Sequence, residues 1–160
     1  MSRIDDIEQN LLQINEARFQ KLVDQYLRNE FGYSVKPTGS MLGKEKTTKG
    51  TPDSYIPLEN SNYIFVEYTT MDYKKNPTQF MKKLEDDFDK CLNEAITNIP
   101  KGKIEKIIFS FNSILTPADD MDIRNYAKLK KVKLELIDLT VLRDGIFDYP
   151  TLAQDFFNIP

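Results

Sequence analysis

The chain has 160 residues but no histidine and no tryptophan, and it contains one cysteine, Cys91. Without histidine there is no Ser-His-Asp or Cys-His catalysis, no histidine-based zinc hydrolase motif and no kinase catalytic loop. A single cysteine cannot form an internal disulfide, and without histidine beside it an ordinary structural zinc site is excluded. Any chemistry must therefore come from carboxylates, lysines and hydroxyl groups, helped by a metal ion that prefers oxygen ligands.

Long apolar runs and a strong charge bias are also missing. No stretch approaches the roughly 18 apolar residues of a membrane span, and the polar, acidic start does not look like a secretory signal. The 22 basic and 25 acidic residues leave a net charge of -3, which excludes a highly basic DNA-coating protein but not local basic patches. We therefore predict one globular, cytoplasmic domain over residues 1–160, with no membrane association.

Apolar spacing predicts an α/β fold. The predicted helices cover residues 5–31, 77–98 and 117–131, with Asn15 capping a fresh helical start and Gly32 ending the first region. The predicted strands cover residues 33–36, 54–57, 63–68, 104–111 and 132–137. The first three strands suit an antiparallel meander and the later ones suit parallel crossovers. This order predicts a mixed central sheet flanked by helices, with a core at about 14–138 and a C-terminal helical tail over 139–160.

Two carboxylates stand out against this background. Asp53 begins one predicted strand, and Glu67 lies near the end of its hairpin partner, where it interrupts a dense apolar run. Antiparallel pairing can bring both to one rim of the sheet, where two carboxylates and a backbone carbonyl suit Mg²⁺ or Mn²⁺. Acids at strand ends often only meet solvent, but a buried carboxylate without a partner is costly, so we expect Glu67 to have a partner or a metal.

Pro52-Asp53 followed by Glu67-Tyr68-Thr69, in this order of elements, resembles the PD-(D/E)XK nuclease superfamily with its restriction-endonuclease-like αβββαβ core. The resemblance implies an endonuclease that uses Mg²⁺ or Mn²⁺ to hydrolyse double-stranded DNA. Nothing in the sequence resembles a base-reading helix, so we expect little sequence specificity. The resemblance also implies that Asp53, Glu67 and the Tyr68 carbonyl hold the metal, with Glu16 on the first long helix assisting.

The sequence departs from that family at Thr69, where the family usually has a lysine. Lys90, on the next helix, is our first candidate to replace it, and Lys83, Lys49 and Lys46 are the alternatives. If no lysine reaches the acids, the alternative is an inactive nuclease-like module that binds nucleic acid or assembles a larger protein. Cleavage of RNA, including tRNA, is not separated from cleavage of DNA by the sequence.

Two lysine groups are predicted to hold substrate phosphates, although either can equally be a solvated charged face. The first lies in a predicted exposed loop over 38–51 and consists of Lys44, Lys46 and Lys49. The second lies around the start of the helix after Glu67 and consists of Lys74, Lys75, Lys82 and Lys83.

The amphipathic segment 150–160, together with residues 65–70, also resembles the N-terminal nuclease domains of bacterial anti-phage NTPases of the STAND class. This narrower resemblance implies an effector domain that is fused to NTPase and sensor domains. It also implies activation by assembly, so we expect a homo-oligomer as the active form.

Overall fold

The computed structural model of the chain describes residues 2–38 and 50–160. The helices of these residues are α1 (Arg3–Gln13), α2 (Glu16–Phe31), α3 (Pro77–Cys91), α4 (Glu94–Thr97), α5 (Pro117–Lys130), α6 (Leu139–Asp148) and α7 (Pro150–Phe157). The strands are β1 (Lys36–Pro37), β2 (Ser54–Pro57), β3 (Tyr63–Thr69), β4 (Ile104–Phe111) and β5 (Lys133–Ile137). None of these helices is long and apolar enough to cross a membrane.

The five strands form one mixed sheet in the order β1-β2-β3-β4-β5. The pairs β1–β2 and β2–β3 are antiparallel, whereas β3–β4 and β4–β5 are parallel. The predicted α/β class and the predicted change from antiparallel to parallel pairing are therefore confirmed. The parallel connections run through helices, as the length of a parallel crossover requires.

The predicted break in the first helical region is present. The side chain of Asn15 accepts a hydrogen bond from the backbone N–H of Arg18 and caps α2, so the region forms two helices instead of one. Gly32 ends α2 with a φ of 69°, a left-handed conformation that glycine adopts without a Cβ clash. The next predicted helix, 77–98, is also shorter than expected, because α3 ends at Cys91 and Asn93 caps the short α4.

Helices cover both faces of the sheet. One face packs against α1, α2, α6 and α7, and its core includes Leu22, Val66 and Ile108. The other face packs against α3 and α5, and its core includes Phe65 and Phe88. Because β3 lies in the middle, all its residues after Tyr63 are buried, as its near-continuous apolar sequence predicts.

Candidate active site

The structure brings the two predicted acids together at one end of the β2–β3 hairpin. The last register pair of these strands is Ser54 with Val66, so Asp53 and Glu67 stand opposite each other one step further. The backbone N–H of Asp53 donates to Oε2 of Glu67 at 2.6 Å. The backbone N–H of Tyr68 donates to Oδ2 of Asp53 at 3.1 Å. Each carboxylate is therefore held by the other strand, which fixes their spacing.

The surroundings of both carboxyl groups disfavour their ionised forms. Burial, followed by repulsion from Asp87, raises the pKa of Asp53 to about 7, and the charge of Lys83 offsets part of this rise. Burial, followed by repulsion from Asp53, raises the pKa of Glu67 well above its ordinary value. Two adjacent buried acids resist simultaneous ionisation unless a cation stands between them. The pair is therefore suited to binding a positive charge.

A lysine is available from α3. Lys83 Nζ lies 2.9 Å from Oδ2 of Asp87, one helical turn away, and the two side chains are 33% and 16% exposed. The charge of Lys83 lowers the pKa of both Asp53 and Glu67, so its ammonium lies within electrostatic reach of the acids. Partial burial by itself lowers the pKa of Lys83, but the hydrogen bond to Asp87 and the surrounding carboxylates outweigh it, and this pKa is raised.

Lys90 does not have the predicted position at the acids. It is exposed in the last turn of α3, and no ion pair of the described residues includes it. The charges of Lys83 and Asp87, one turn apart on α3, act on the pKa of both acids, whereas Lys90 is not among the main causes of either shift. The arrangement therefore favours the alternative candidate, Lys83, over Lys90.

Two acids of α2 also bear on the site. Glu16 is exposed in the first turn of α2, and its charge contributes to the raised pKa of Asp53. Asp24, which the sequence reasoning missed, is 4% exposed beneath the hairpin. It accepts hydrogen bonds from the Tyr68 hydroxyl and from Ser54 Oγ, the latter at 3.3 Å. It thereby ties together the two residues that follow Asp53 and Glu67.

Asp24 and Asp87 had only weak sequence signals. Asp24 occurs directly after Val23 in the apolar pattern of α2, and Asp87 stands four residues after Lys83. Burial, its largest cause, raises the pKa of Asp24 to about 7, although the charge of Arg28 and the hydrogen bond from Ser54 oppose the rise. A buried acid among apolar positions was the signal that could have identified Asp24.

Thr69 does not replace the missing lysine chemically. Its side chain is buried, and its hydroxyl oxygen accepts a hydrogen bond from the backbone N–H of Met71 at 3.1 Å. The hydroxyl thus stabilises the turn after β3. Among the predicted phosphate-binding lysines, Lys74 and Lys75 are exposed just before α3. Three others, Lys44, Lys46 and Lys49, lie outside the described residues.

The donor set fits a hard divalent cation. Asp53 and Glu67 offer carboxylate oxygens, and Tyr68 carries the predicted carbonyl, all of which are ligands that Mg²⁺ and Mn²⁺ prefer. No group of three or more His, Cys, Asp and Glu side chains in residues 2–38 and 50–160 is arranged as a metal site. A cation held by Asp53 and Glu67 would complete its shell with neutral oxygens, an arrangement that is common for Mg²⁺.

No model of a known protein family matches the chain, and no curated protein matches it.

Proposed function

We propose that the chain is a nuclease domain of the PD-(D/E)XK type, with a restriction-endonuclease-like fold, that hydrolyses DNA with Mg²⁺ or Mn²⁺. The observation that carries the proposal is the hydrogen-bonded pair of half-buried Asp53 and buried Glu67, together with Lys83, whose positive charge lowers the pKa of both acids. The mixed sheet, antiparallel up to β3 and parallel beyond it, also agrees with that fold.

Each group has a defined role in this proposal. Asp53, Glu67 and the Tyr68 carbonyl hold the metal ion, which supplies Lewis acidity and a more acidic bound water. Lys83 places a positive charge beside the scissile phosphate, where negative charge grows as water attacks and one P–O bond breaks. Asp87 orients Lys83, and Glu16 adds negative charge at the edge of the site. Lys83 therefore takes the role that the family motif gives to the lysine at position 69.

The second candidate is an inactive nuclease-like module that binds nucleic acid or assembles a larger protein. Two observations favour it, namely that the Thr69 hydroxyl is committed to Met71 and that Lys83 is already paired with Asp87. We also propose, from the narrower resemblance, that the domain is the effector of an anti-phage protein and works as a homo-oligomer. The RNA-cleaving alternative shares the same residues.

Plasmid cleavage at high protein concentration tests the proposal. We expect nicking or linearisation with Mg²⁺ or Mn²⁺ and none with EDTA. Asp53→Asn and Glu67→Gln keep the acceptors for the two backbone N–H groups, and each should lower the rate at least about 100-fold. A single-stranded RNA substrate in parallel separates the two nuclease alternatives. Full activity in either acid variant would refute the assignment of the site.

The lysine assignment has a matched pair of variants on α3. Lys83→Met keeps most of the side-chain stem and removes the charge, so kcat should fall about 100-fold, the scale of losing one preorganised donor. Lys90→Met makes the same change at an exposed position and should leave cleavage within about twofold of wild type. Equal losses in both variants, or a loss only in Lys90→Met, would transfer the role away from Lys83.

A further inference from the structure

A groove lies at the β5 edge of the sheet, far along the strands from the acids. Its volume is about 640 Å³, and it is formed by the end of α5 together with the starts of β4 and β5. Its apolar floor consists of Ala127, Val132 and Leu134. Its charged walls consist of Lys106, Arg124, Lys128, Lys131, Lys133 and Glu135. We call this the edge groove.

The edge groove is basic although the chain as a whole is acidic. Lys106 pairs with Glu135 at 2.6 Å, and Arg124 pairs with Asp120 at 2.6 Å. The remaining cations, Lys128, Lys131 and Lys133, are exposed and form no ion pair with a carboxylate of residues 2–38 and 50–160. Three positive charges without an ion pair in one groove contrast with a net charge of -3 for the whole chain, although Glu105 lies within electrostatic reach of Lys133.

The backbone conformation at Lys131 also singles out this part of the edge groove. Lys131 caps α5 with a φ of 61°, in the left-handed region where glycine is the usual residue. A residue with a side chain is less favourable than glycine in this backbone conformation. Conformational preference therefore does not explain why a lysine occupies position 131. The helix dipole accounts for cations in the last turn of α5, but Lys133 lies beyond the helix in β5.

The groove is separate from the acids. Glu67 pairs with Phe109 near the end of β4, whereas the groove residues Lys106 and Lys133 pair near the starts of β4 and β5. The groove also lies beyond β4, two strands from β3. A ligand in it would therefore contact the chain without touching the proposed metal site.

We propose that the edge groove binds the phosphate backbone of duplex DNA and serves as a second contact that adds affinity without taking part in cleavage. This inference depends on the proposed function for the identity of the ligand. The cations come from the last turn of α5, its cap and β5, so they are spread along the groove, and a polyanion matches that spread better than a single small anion does. Contacts to phosphates position the duplex and carry no base sequence information.

Direct binding in EDTA tests the proposal independently of cleavage. The probe is a fluorescently labelled 30-bp duplex, and anisotropy is measured over a series of salt concentrations. Replacing Lys128, Lys131 and Lys133 by alanine should reduce the slope of log K against log salt by roughly 2 to 3, at about 0.9 per lost phosphate contact. The matched control replaces the exposed lysines 21, 90 and 101 and should change the slope by less than about 1, although it removes the same charge.

Lys131→Gly separates binding from structure. It removes the cation but gives the left-handed position its preferred residue, so the melting temperature should rise while the affinity for DNA falls several-fold. If the affinity stays unchanged as the melting temperature rises, Lys131 has no part in binding. An unchanged slope in the triple alanine variant, or lysine-dependent binding of a mononucleotide instead of the duplex, would overturn the proposal.

DNA binding by the edge groove and DNA cleavage at the acids can be refuted independently of each other. In an Asp53→Asn background, which should not cleave, the three lysine replacements should reduce the salt slope in EDTA as they do in the wild type, because the groove is intact. Lysine-dependent binding without any cleavage would keep the edge groove and reject the nuclease. Cleavage with a KM that does not change when the three lysines are replaced would support the nuclease and refute DNA binding at the edge groove.

Discussion

Asp53 combines two demands that conflict in a metal-free protein. Its carboxylate must be ionised to hold a cation, yet its surroundings raise its pKa to about 7, with burial as the largest cause. A carboxyl group with a raised pKa binds its proton more tightly in the folded state than in the unfolded state. Folding stability is therefore highest at low pH and falls as pH rises from about 4, where the unfolded side chain ionises, to about 7.

We predict that the metal-free protein melts at a lower temperature at pH 8 than at pH 5.5. Asp53→Asn should reduce this dependence and raise stability at pH 8 by up to a few kcal/mol, since each pKa unit corresponds to about 1.4 kcal/mol. Glu67 and Asp24, whose pKa values are also raised, should retain the rest of the dependence. Exposed Asp122→Asn is the control, and scanning calorimetry with and without Mg²⁺ is the measurement. A wild type that is more stable at pH 8 without metal would contradict the prediction.

Asp87 acts on the two acids through its charge, in addition to its ion pair with Lys83. It repels both Asp53 and Glu67 and so raises the pKa of each. Asp87→Asn should lower both pKa values, so the acidic limb of the pH profile of kcat/KM should move to lower pH. Asp86→Asn, at the adjacent residue, changes an exposed acid that pairs with Lys82 at 3.4 Å, and its profile should match the wild type. Identical profiles for the two variants would remove Asp87 from the site.

At the scale of elements, α6 is held close to α2 by a glycine. A Cβ at Gly145 would lie 2.2 Å from Cε1 of Tyr26, whose ring is buried. Alanine normally stabilises a helix interior by about 1 kcal/mol relative to glycine, but here the clash makes the change in folding stability unfavourable. Gly145→Ala should destabilise the fold by about 1–3 kcal/mol.

The clash predicted for Gly145→Ala has internal controls. Gly102→Ala adds a methyl group with nothing within 4 Å, so its effect should stay within about 0.5 kcal/mol. Combining Gly145→Ala with Tyr26→Leu should recover much of the loss, because the shorter side chain vacates the space. Urea unfolding measures all the variants. A neutral or stabilising Gly145→Ala would show that the two helices can separate at no cost.

For α3, the sequence predicts which face is buried but not how the helix crosses the sheet. Its buried stripe of Phe80, Leu84, Phe88 and Cys91 follows directly from helical spacing. Helical spacing also places Lys83 and Lys90 on one flank of that stripe, seven residues apart. It does not say which end of the helix faces the acids, because this depends on how α3 crosses the sheet. The structure favours Lys83, because its charge lowers the pKa of both acids while Lys90 is exposed in the last turn of α3.

At the scale of the whole molecule, the proposed nuclease has one acid pair and would cut one strand at a time. A net charge of -3 gives little long-range attraction to DNA, so a single domain would hold such a substrate weakly. We predict that specific activity falls on dilution and yields nicked plasmid, whereas fusion to a dimeric coiled coil yields linear plasmid. A fusion to a monomeric variant of the same coil is the control. Constant specific activity through the dilution series would contradict assembly-dependent activation.

Most helices and strands, the change from antiparallel to parallel pairing and the meeting of Asp53 with Glu67 follow from the sequence. These depend on local information, since apolar spacing defines helices and strands and a hairpin sets its own register. Three features do not follow from it, namely which lysine acts on the acids by its charge, the part of Asp24 and Asp87 in the site, and the sharing of the edge groove by cations from α5 and β5. Those contacts join residues on separate elements, and their distances follow from helix packing on the sheet, which residue spacing alone does not specify.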